Sequence, residues 1–446
     1  MKKNKILMPA AVAMALASAL LGCQHLITND TQQNNPQLSH VKVAVVYENI
    51  NDGLLIGRDA NKTIEILKET CVDLIFRGFW KWMPVVESPD NIPPELLGLA
   101  PENATLEEIV DFLRRSGHYY EELERWVSAI KKEIPEIIFV GAVPAQTVAR
   151  IEYNPITGRV YPMNETWAMA LDPQKWGITY NGTPVTKERF QSWFYGIHPY
   201  GGEIGEYDPS KVLAYFPDIT NPDFQELLVS WAKRQIDCGA DAIWIDMLYT
   251  QASLLAKITG DVNHPAVEES IEAAKKVVDA IHEYGKEKGR YIYVGSWIGP
   301  FVMMEVQSET FPYSPPAMDF VTVSMSNEEV LNKQLDKAKW QKIVSAIKEK
   351  YGNIPIFAFI DWAFDNSQMV MFSQRLTKEE QREVLRKFDE SFTEMGINFA
   401  YPVHGGYLGR GEITTRLAFG KYRFYDALAP EFETYETIRE LAQGKK

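Results

Sequence analysis

A (β/α)8 TIM barrel of the α/β class, with a long insertion between strands three and four, is the fold this sequence predicts. Three observations carry the prediction. Eight short apolar runs rich in Val, Ile and Phe recur between residues 41 and 401, without the alternation of a half-exposed sheet. Such runs mark parallel strands covered on both faces. Helical patterns separate most of them, as βα units require. The chain, 446 residues long and 46% hydrophobic, has the length for one such barrel.

Taken in order, residues 1–23 stand apart. Lys2, Lys3 and Lys5 make a positive start, and an apolar stretch from Ile6 to Leu21 leads to Gly22-Cys23. That stretch is short of the ~20 residues of a spanning helix and has the shape of a secretory signal. Leu20-Leu21-Gly22-Cys23 resembles a bacterial lipobox, which implies cleavage before Cys23 and lipidation of Cys23. The alternative is a plain signal peptide. Residues 24–40, polar and without apolar periodicity, read as a flexible tether, and residues 41–446 as the barrel domain. The expected location is therefore outside the cytoplasm, lipid-anchored to the cell envelope and touching membrane only through that anchor.

The predicted strands are Val41–Tyr47, Val72–Phe76, Ile137–Val143, Ala242–Ile245, Tyr291–Gly295, Phe320–Ser324, Ile356–Ile360 and Ile397–Tyr401. Helical spacing runs through Thr63–Thr70, Tyr119–Glu133, Pro222–Ile236, Pro265–Lys288, Asn327–Lys350 and Lys378–Met395. Thr377 with Glu380 fits a capping box, and Asn221-Pro222-Asp223 a helix start. Gly352 and Gly396 fall where helices stop. About 95 residues separate strands three and four, and they hold many Trp and Tyr and an extra apolar run at Val212–Phe216. The runner-up fold, an open doubly wound sheet, calls for a Gly-rich phosphate loop after strand one, and VVYENINDG is not one.

A barrel places the residues at its strand C-terminal ends in one site. Those are Glu48, Arg77 with Trp80 and Trp82, Gln146, Asp246, Trp297 with Glu305, Ser324, Asp361 with Trp362, and Tyr401 with His404. Indole faces stack on sugar rings, and carboxylates, Arg and His bond hydroxyls. Glycoside cleavage needs two carboxyl groups, about 5 Å apart for retention and about 6.5–9.5 Å for inversion. Each residue also has a structural reading. Asp246 could be held by backbone or by an arginine, Glu305 could lie on a helix surface, and Glu48 and Arg77 could form a salt bridge across the mouth. His404 could cap a loop, Trp244 belongs in the core, and Asp218 reads as turn chemistry.

Other chemistries find less support. The net charge of −14 and the lack of a basic stripe speak against nucleic acid. Five histidines lie beyond residue 40, with no H-x-H or H-E-x-x-H, so no metal site and no cofactor is predicted. Cys71 and Cys238 read as small buried hydrophobes. No G-x-S-x-G elbow or Walker loop occurs.

The stretch AYFPDITNPDFQELLVSWAKRQIDCGADAIWIDM, residues 214–247, resembles a segment of (β/α)8-barrel glycoside hydrolases of the α-galactosidase, α-glucosidase, α-amylase and endo-α-1,4-polygalactosaminidase groups. The resembling pieces are Asp218–Pro222, Gly239-Ala240-Asp241 and Trp244-Ile245-Asp246. The resemblance implies that Asp246 is the nucleophile. In the amylase-like arrangement it implies Glu305 as acid/base and Asp361 as a further site aspartate. Trp244 stands where amylases carry arginine, and Ile360-Asp361 where they carry His-Asp. The α-galactosidase and α-glucosidase groups take their acid from strand six, where this chain has Ser324, Ser326, Glu328 and Glu329. The expectation is an exported, lipid-anchored glycoside hydrolase acting on a carbohydrate. Asp246, Glu305 and Asp361 would be its catalytic candidates. Glu48, Arg77, Trp80, Trp82, Trp297, Trp362 and His404 would contact the substrate. The alternative is a surface glycan-binding lipoprotein on a barrel without turnover.

Overall fold

The computed structural model describes residues 37–100, 104–196, 208–298, 311–361, 367–410, 418–419 and 422–446. Cys23 and most of the expected tether lie outside them. Leu38 opens the described fold with its side chain buried.

Eight parallel strands, β1 (Ala44–Tyr47), β2 (Leu74–Trp80), β3 (Ile138–Pro144), β4 (Ala242–Asp246), β5 (Tyr293–Trp297), β6 (Phe320–Ser324), β7 (Ile356–Phe359) and β8 (Asn398–Arg410), pair in chain order. Ala44 lies opposite both Leu74 of β2 and Ala400 of β8, which closes the sheet into a barrel. Closure leaves these strands no exposed ladder edge.

Alternation along each strand sends every second side chain into the bore. Phe76, Trp244 and Phe359 meet there, with ring centroids 5.2 Å apart for Phe76–Trp244 and 5.0 Å for Phe76–Phe359. The Trp244 indole N–H donates to Thr322 Oγ1 at 2.9 Å, so its one polar atom is satisfied inside the core. This aromatic layer plugs the bore beneath its C-terminal mouth.

β2 departs from regularity in a way that matters for the site. Leu74 and Ile75 face Ile138 and Phe139, whereas Phe79 and Trp80 face Gly141 and Ala142. β2 thus carries extra residues, and the bulge keeps successive side chains on the bore side. Arg77 takes a φ of 54°. A Cβ on Gly78 would stand 2.6 Å from the Phe139 ring, so the bulge needs glycine there.

Helices cover the outside: α1 (Ala60–Glu69), α2 (Leu106–Ser116), α3 (Tyr120–Glu133), α4 (Pro222–Asp237), α5 (Thr250–Thr259), α6 (Pro265–Glu287), α7 (Asn327–Asn332), α8 (Lys337–Tyr351), α9 (Gln368–Arg375), α10 (Lys378–Glu394) and α11 (Tyr435–Gln443). α4 starts where the sequence places it. The Asn221 side chain accepts from the N–H groups of Asp223 and Phe224, with Pro222 at the first turn. Phe224, Leu227, Leu228 and Trp231 form its buried face. Thr377 and Glu380 make the expected capping box of α10. The long helix expected over Asn327–Lys350 is two helices. Lys333 turns left-handed at φ 56°, and Asp336 caps a fresh start by accepting from Lys339 N–H.

Between Pro144 and Asn221 the described residues form three two-stranded antiparallel ribbons and the short helices Met163–Met169 and Lys187–Gly196. The Val212–Phe216 run supplies one of those strands, Ala214–Tyr215, paired with Val148–Ala149. Asp218 closes this segment onto the barrel wall. Its carboxylate accepts from Gln251 Nε2 at 3.0 Å and Thr220 Oγ1 at 2.8 Å and pairs with Lys175, which makes it turn chemistry as expected.

β8 is longer than its apolar run. It continues into an antiparallel hairpin with β10 (Tyr422–Asp426), which pairs in turn with β9 (Ala418–Phe419). Cys238 is buried, and burial pushes its thiol up to about 12. Cys71 is only half-buried, at a left-handed φ of 49°. Among the described residues no helix is long and apolar enough to cross a membrane.

Candidate active site

Asp246 closes β4 two residues beyond Trp244, and therefore faces the bore at its mouth. Its carboxylate accepts from Gln146 Nε2 at 2.9 Å, just past β3. Met247 follows at a left-handed φ of 54°, and its backbone N–H turns back onto the same carboxylate. Asp246 keeps some contact with solvent at the mouth, but protein surrounds the carboxyl. Burial pushes it up to about 7. Arg77 opposes that rise and the charge of Asp361 adds to it, while Gln146 and the Met247 N–H pull it back.

Arg77 is the cation of this site. The β2 bulge sets its guanidinium over two indoles, 4.7 Å from the Trp80 ring centre and 5.5 Å from that of Trp244. Stacking of this kind fixes the plane of the group and shields it from water. Its Nη1 lies 3.8 Å from Asp361 Oδ1. Asp361 follows β7 two residues past Phe359, on the bore side, with 28% of its side chain exposed. Asp246, Arg77 and Asp361, expected together from strand position alone, are together.

Around them the other expected residues take different places. Trp80 is buried beneath Arg77, and Trp82 is 40% exposed at the rim. Trp297 lies opposite Thr322 in register and so faces the bore. Its buried indole N–H has no partner among the described residues, and neither has the Ser324 hydroxyl at the end of β6. Glu48, just past β1, is buried, and Gly405 packs so closely on it that a Cβ there would meet Glu48 Cβ at 2.6 Å. Beside it, burial and the Glu48 charge raise Asp52 well above the usual carboxylate range. His404 is buried, with Nδ1 2.6 Å from Asp426 Oδ2. Asp426 also accepts both arms of Arg58, at 2.8 and 3.0 Å. Burial acts to raise Asp426, but His404 and Arg58 together hold it down at about 2. Tyr401 points away from the bore and donates to Asp389 on α10 at 2.7 Å. Glu305 and Trp362 lie outside the described residues.

No family model matches this chain, and no curated protein does. Among solved structures it is similar to the native form of the debranching enzyme of Nostoc punctiforme, at 12% identity over 92% of this chain and 81% of that one, with a TM-score of 0.44. The type III pullulan hydrolase from Thermococcus kodakarensis is similar at 11% identity over 92% of this chain and 71% of that one, with a TM-score of 0.43. The glycoside hydrolase domain of PelA from Pseudomonas aeruginosa is similar at 12% identity over 63% of this chain and 83% of that one, with a TM-score of 0.32.

One charged pair near the mouth has no counterpart in the sequence reading. Lys81 follows Trp80 and is buried, with Nζ 2.6 Å from Glu152 Oε1 and 3.3 Å from the centre of the Trp231 ring. Burial lowers Lys81 to about 8 and raises Glu152. The pair ties the segment after β3 to α4 beneath the rim. The two residues are 71 apart, so no local pattern announces them. Among the described residues no three His, Cys, Asp or Glu side chains gather as metal ligands would. The mouth therefore offers two carboxyls of different character, one fixed cation between them, indole surface, and buried polar atoms able to bond hydroxyls.

Proposed function

We propose that this chain is a glycoside hydrolase and that Asp246 and Asp361 carry the bond cleavage. The single observation behind this reading is the gathering of those two carboxyls about Arg77 at the mouth of a closed barrel. Glycosidic cleavage asks for one carboxyl that gives a proton and one that stays charged at the opposite side of the bond. Burial pushes Asp246 up and suits it to the first part, and Arg77 stands 3.8 Å from Asp361. Trp297 and Trp82 offer indole surface to sugar rings, and the Trp297 N–H and Ser324 hydroxyl offer partners to their hydroxyls. Glu48 and His404 belong to the buried rim that supports the mouth.

The proposal extends to placement in the cell. The signal-like start and the Gly22-Cys23 junction support an exported protein lipidated at Cys23, with the residues between Cys23 and Leu38 as its tether. Metabolic labelling with a clickable fatty acid, in wild type and Cys23→Ala, tests this. Label that persists in the variant refutes lipidation at that residue.

The catalytic reading is tested by reducing-end release over a polysaccharide panel, with Asp246→Asn beside wild type. Release should fall by about 10²–10⁴-fold in the variant while its circular dichroism is unchanged. If the wild type releases nothing and both proteins bind a glycan with equal affinity, the chain is a binder and the hydrolase reading fails.

A further inference from the structure

We infer that Asp246 is the proton donor and Asp361 the charged carboxylate of this pair, with Gln146 a positioning residue that holds Asp246. The inference rests on the hydrolase reading above, and it departs from the sequence resemblance, which implies that Asp246 is the nucleophile and Glu305 the acid/base.

The partners decide the assignment. Arg77 stands 3.8 Å from Asp361, its plane held by Trp80 and Trp244. A fixed cation beside a carboxyl favours its ionised form. Asp246 is held instead by neutral donors, the Gln146 amide and the Met247 N–H. Arg77 also acts on Asp246 and favours its charged form, but burial outweighs it. The remaining polar groups near Asp246 are neutral and engaged. Ser296 Oγ donates to the Ile245 carbonyl at 2.7 Å, and the Trp244 N–H is taken by Thr322. A negative Asp361 further disfavours a second charge on Asp246, and burial acts in the same direction, to about 7.

Gln146 turns its Nε2 to Asp246 and donates to the carboxylate. It therefore favours the charged form and sets how far burial raises the group.

The reaction then runs as follows. An Asp361 oxygen supplies an electron pair to the anomeric carbon. The bond to the leaving oxygen breaks, its electrons remain with that oxygen, and the oxygen takes the proton of Asp246. Water next adds to the anomeric carbon, its proton passes to Asp246, and the bond to Asp361 breaks. Both carboxyls end as they began.

The experiment uses the full chain. Wild type is first run over the polysaccharide panel, and the sugar it releases is prepared as the 2,4-dinitrophenyl glycoside, whose phenolate leaves without a proton. Asp246→Asn should lose about 10²-fold or more in kcat/KM on the polysaccharide and less than about tenfold on the aryl glycoside. Asp361→Asn should lose about 10²-fold or more on both. The opposite pattern, or equal losses in the two variants on both substrates, overturns the assignment. A wild type inactive on the whole panel sinks the hydrolase reading itself, and that is seen before any variant is made. Should a variant fail to fold, wild type still decides. Its kcat/KM should fall above about pH 7 on the polysaccharide and not on the aryl glycoside, and a fall on both overturns the inference. Gln146→Leu should move that basic limb to higher pH, whereas a merely structural glutamine leaves it in place.

Discussion

Asp246 should make the folded protein less stable as the solution becomes more alkaline, and Asp246→Asn should remove that penalty. The carboxyl rises from its ordinary 3.8 to about 7 on folding. At 1.36 kcal/mol per tenfold change in acidity this corresponds to about 4 kcal/mol. Asp246 keeps partial solvent contact at the mouth, so about 1–3 kcal/mol is the realistic range. The sign follows from where the proton sits. Below pH 4 both the folded and the unfolded chain hold it, and nothing is lost. Between pH 4 and pH 7 the unfolded chain releases it more readily than the folded one, and stability falls until the folded carboxyl has also ionised. Asparagine keeps the shape and never ionises. Urea unfolding of both proteins at intervals from pH 4 to pH 8 should therefore show the variant gaining on wild type by about 1–3 kcal/mol. A difference that stays constant across that range, or a wild type that gains as pH rises, refutes the account of Asp246 given above. A site that strains its own scaffold in this way is what a stability–activity trade-off looks like at one residue.

Asp426 should behave with the opposite sign. Because His404 and Arg58 hold it at about 2, its contribution is present above pH 4 and is lost as pH falls toward 2. Asp426→Asn should lose about 2–4 kcal/mol in urea at pH 6, with the gap narrowing toward pH 2.5, and a gap independent of pH counts against the triad. Gly78→Ala should lose about 1–3 kcal/mol through the contact with Phe139 and should lower sugar release by displacing Arg77. An unchanged urea midpoint with unchanged release would show that the bulge tolerates a side chain. Lys81→Met should lower stability by about 3–5 kcal/mol by leaving Glu152 buried and unpaired, and adding Glu152→Leu should restore most of the loss in thermal melts. A double variant no better than the single one would place the effect in packing on Trp231.

All eight strands were legible because a strand covered on both faces has few ways to be written other than as Val, Ile, Phe and Ala. Their lengths were less so. The expected β2 stops at Phe76, where the apolar run ends, whereas the bulge carries the strand on to Trp80. The expected β8 stops at Tyr401, where the apolar run ends, although the chain beyond it pairs on as a hairpin. The break at Lys333 was hidden because lysine rarely adopts the left-handed conformation it has there. In the site, strand position alone brought Asp246, Arg77, Gln146 and Asp361 together, since a parallel barrel converts eight distant strand ends into one ring. Pairs that depend on the path of a loop had no such rule behind them. Asp426 beneath His404 and Glu152 against Lys81 follow from the hairpin and from the segment after β3, neither of which has a period to read.

All eight barrel strands run the same way, so the barrel has a floor and a mouth. Val43 N–H is held at the floor by Asp73, at 3.0 Å, and the final residue, Lys446, pairs with that same carboxylate. The proposed tether therefore joins the body on the side opposite Asp246. With Cys23 in the membrane, a tether leaving from the floor would leave the mouth free to turn away from the lipid. The fourteen residues between Cys23 and Leu38 reach at most about 50 Å when fully drawn out. Such a mooring would let the mouth sweep a shell of glycan above the membrane and keep the lipid itself out of its grasp.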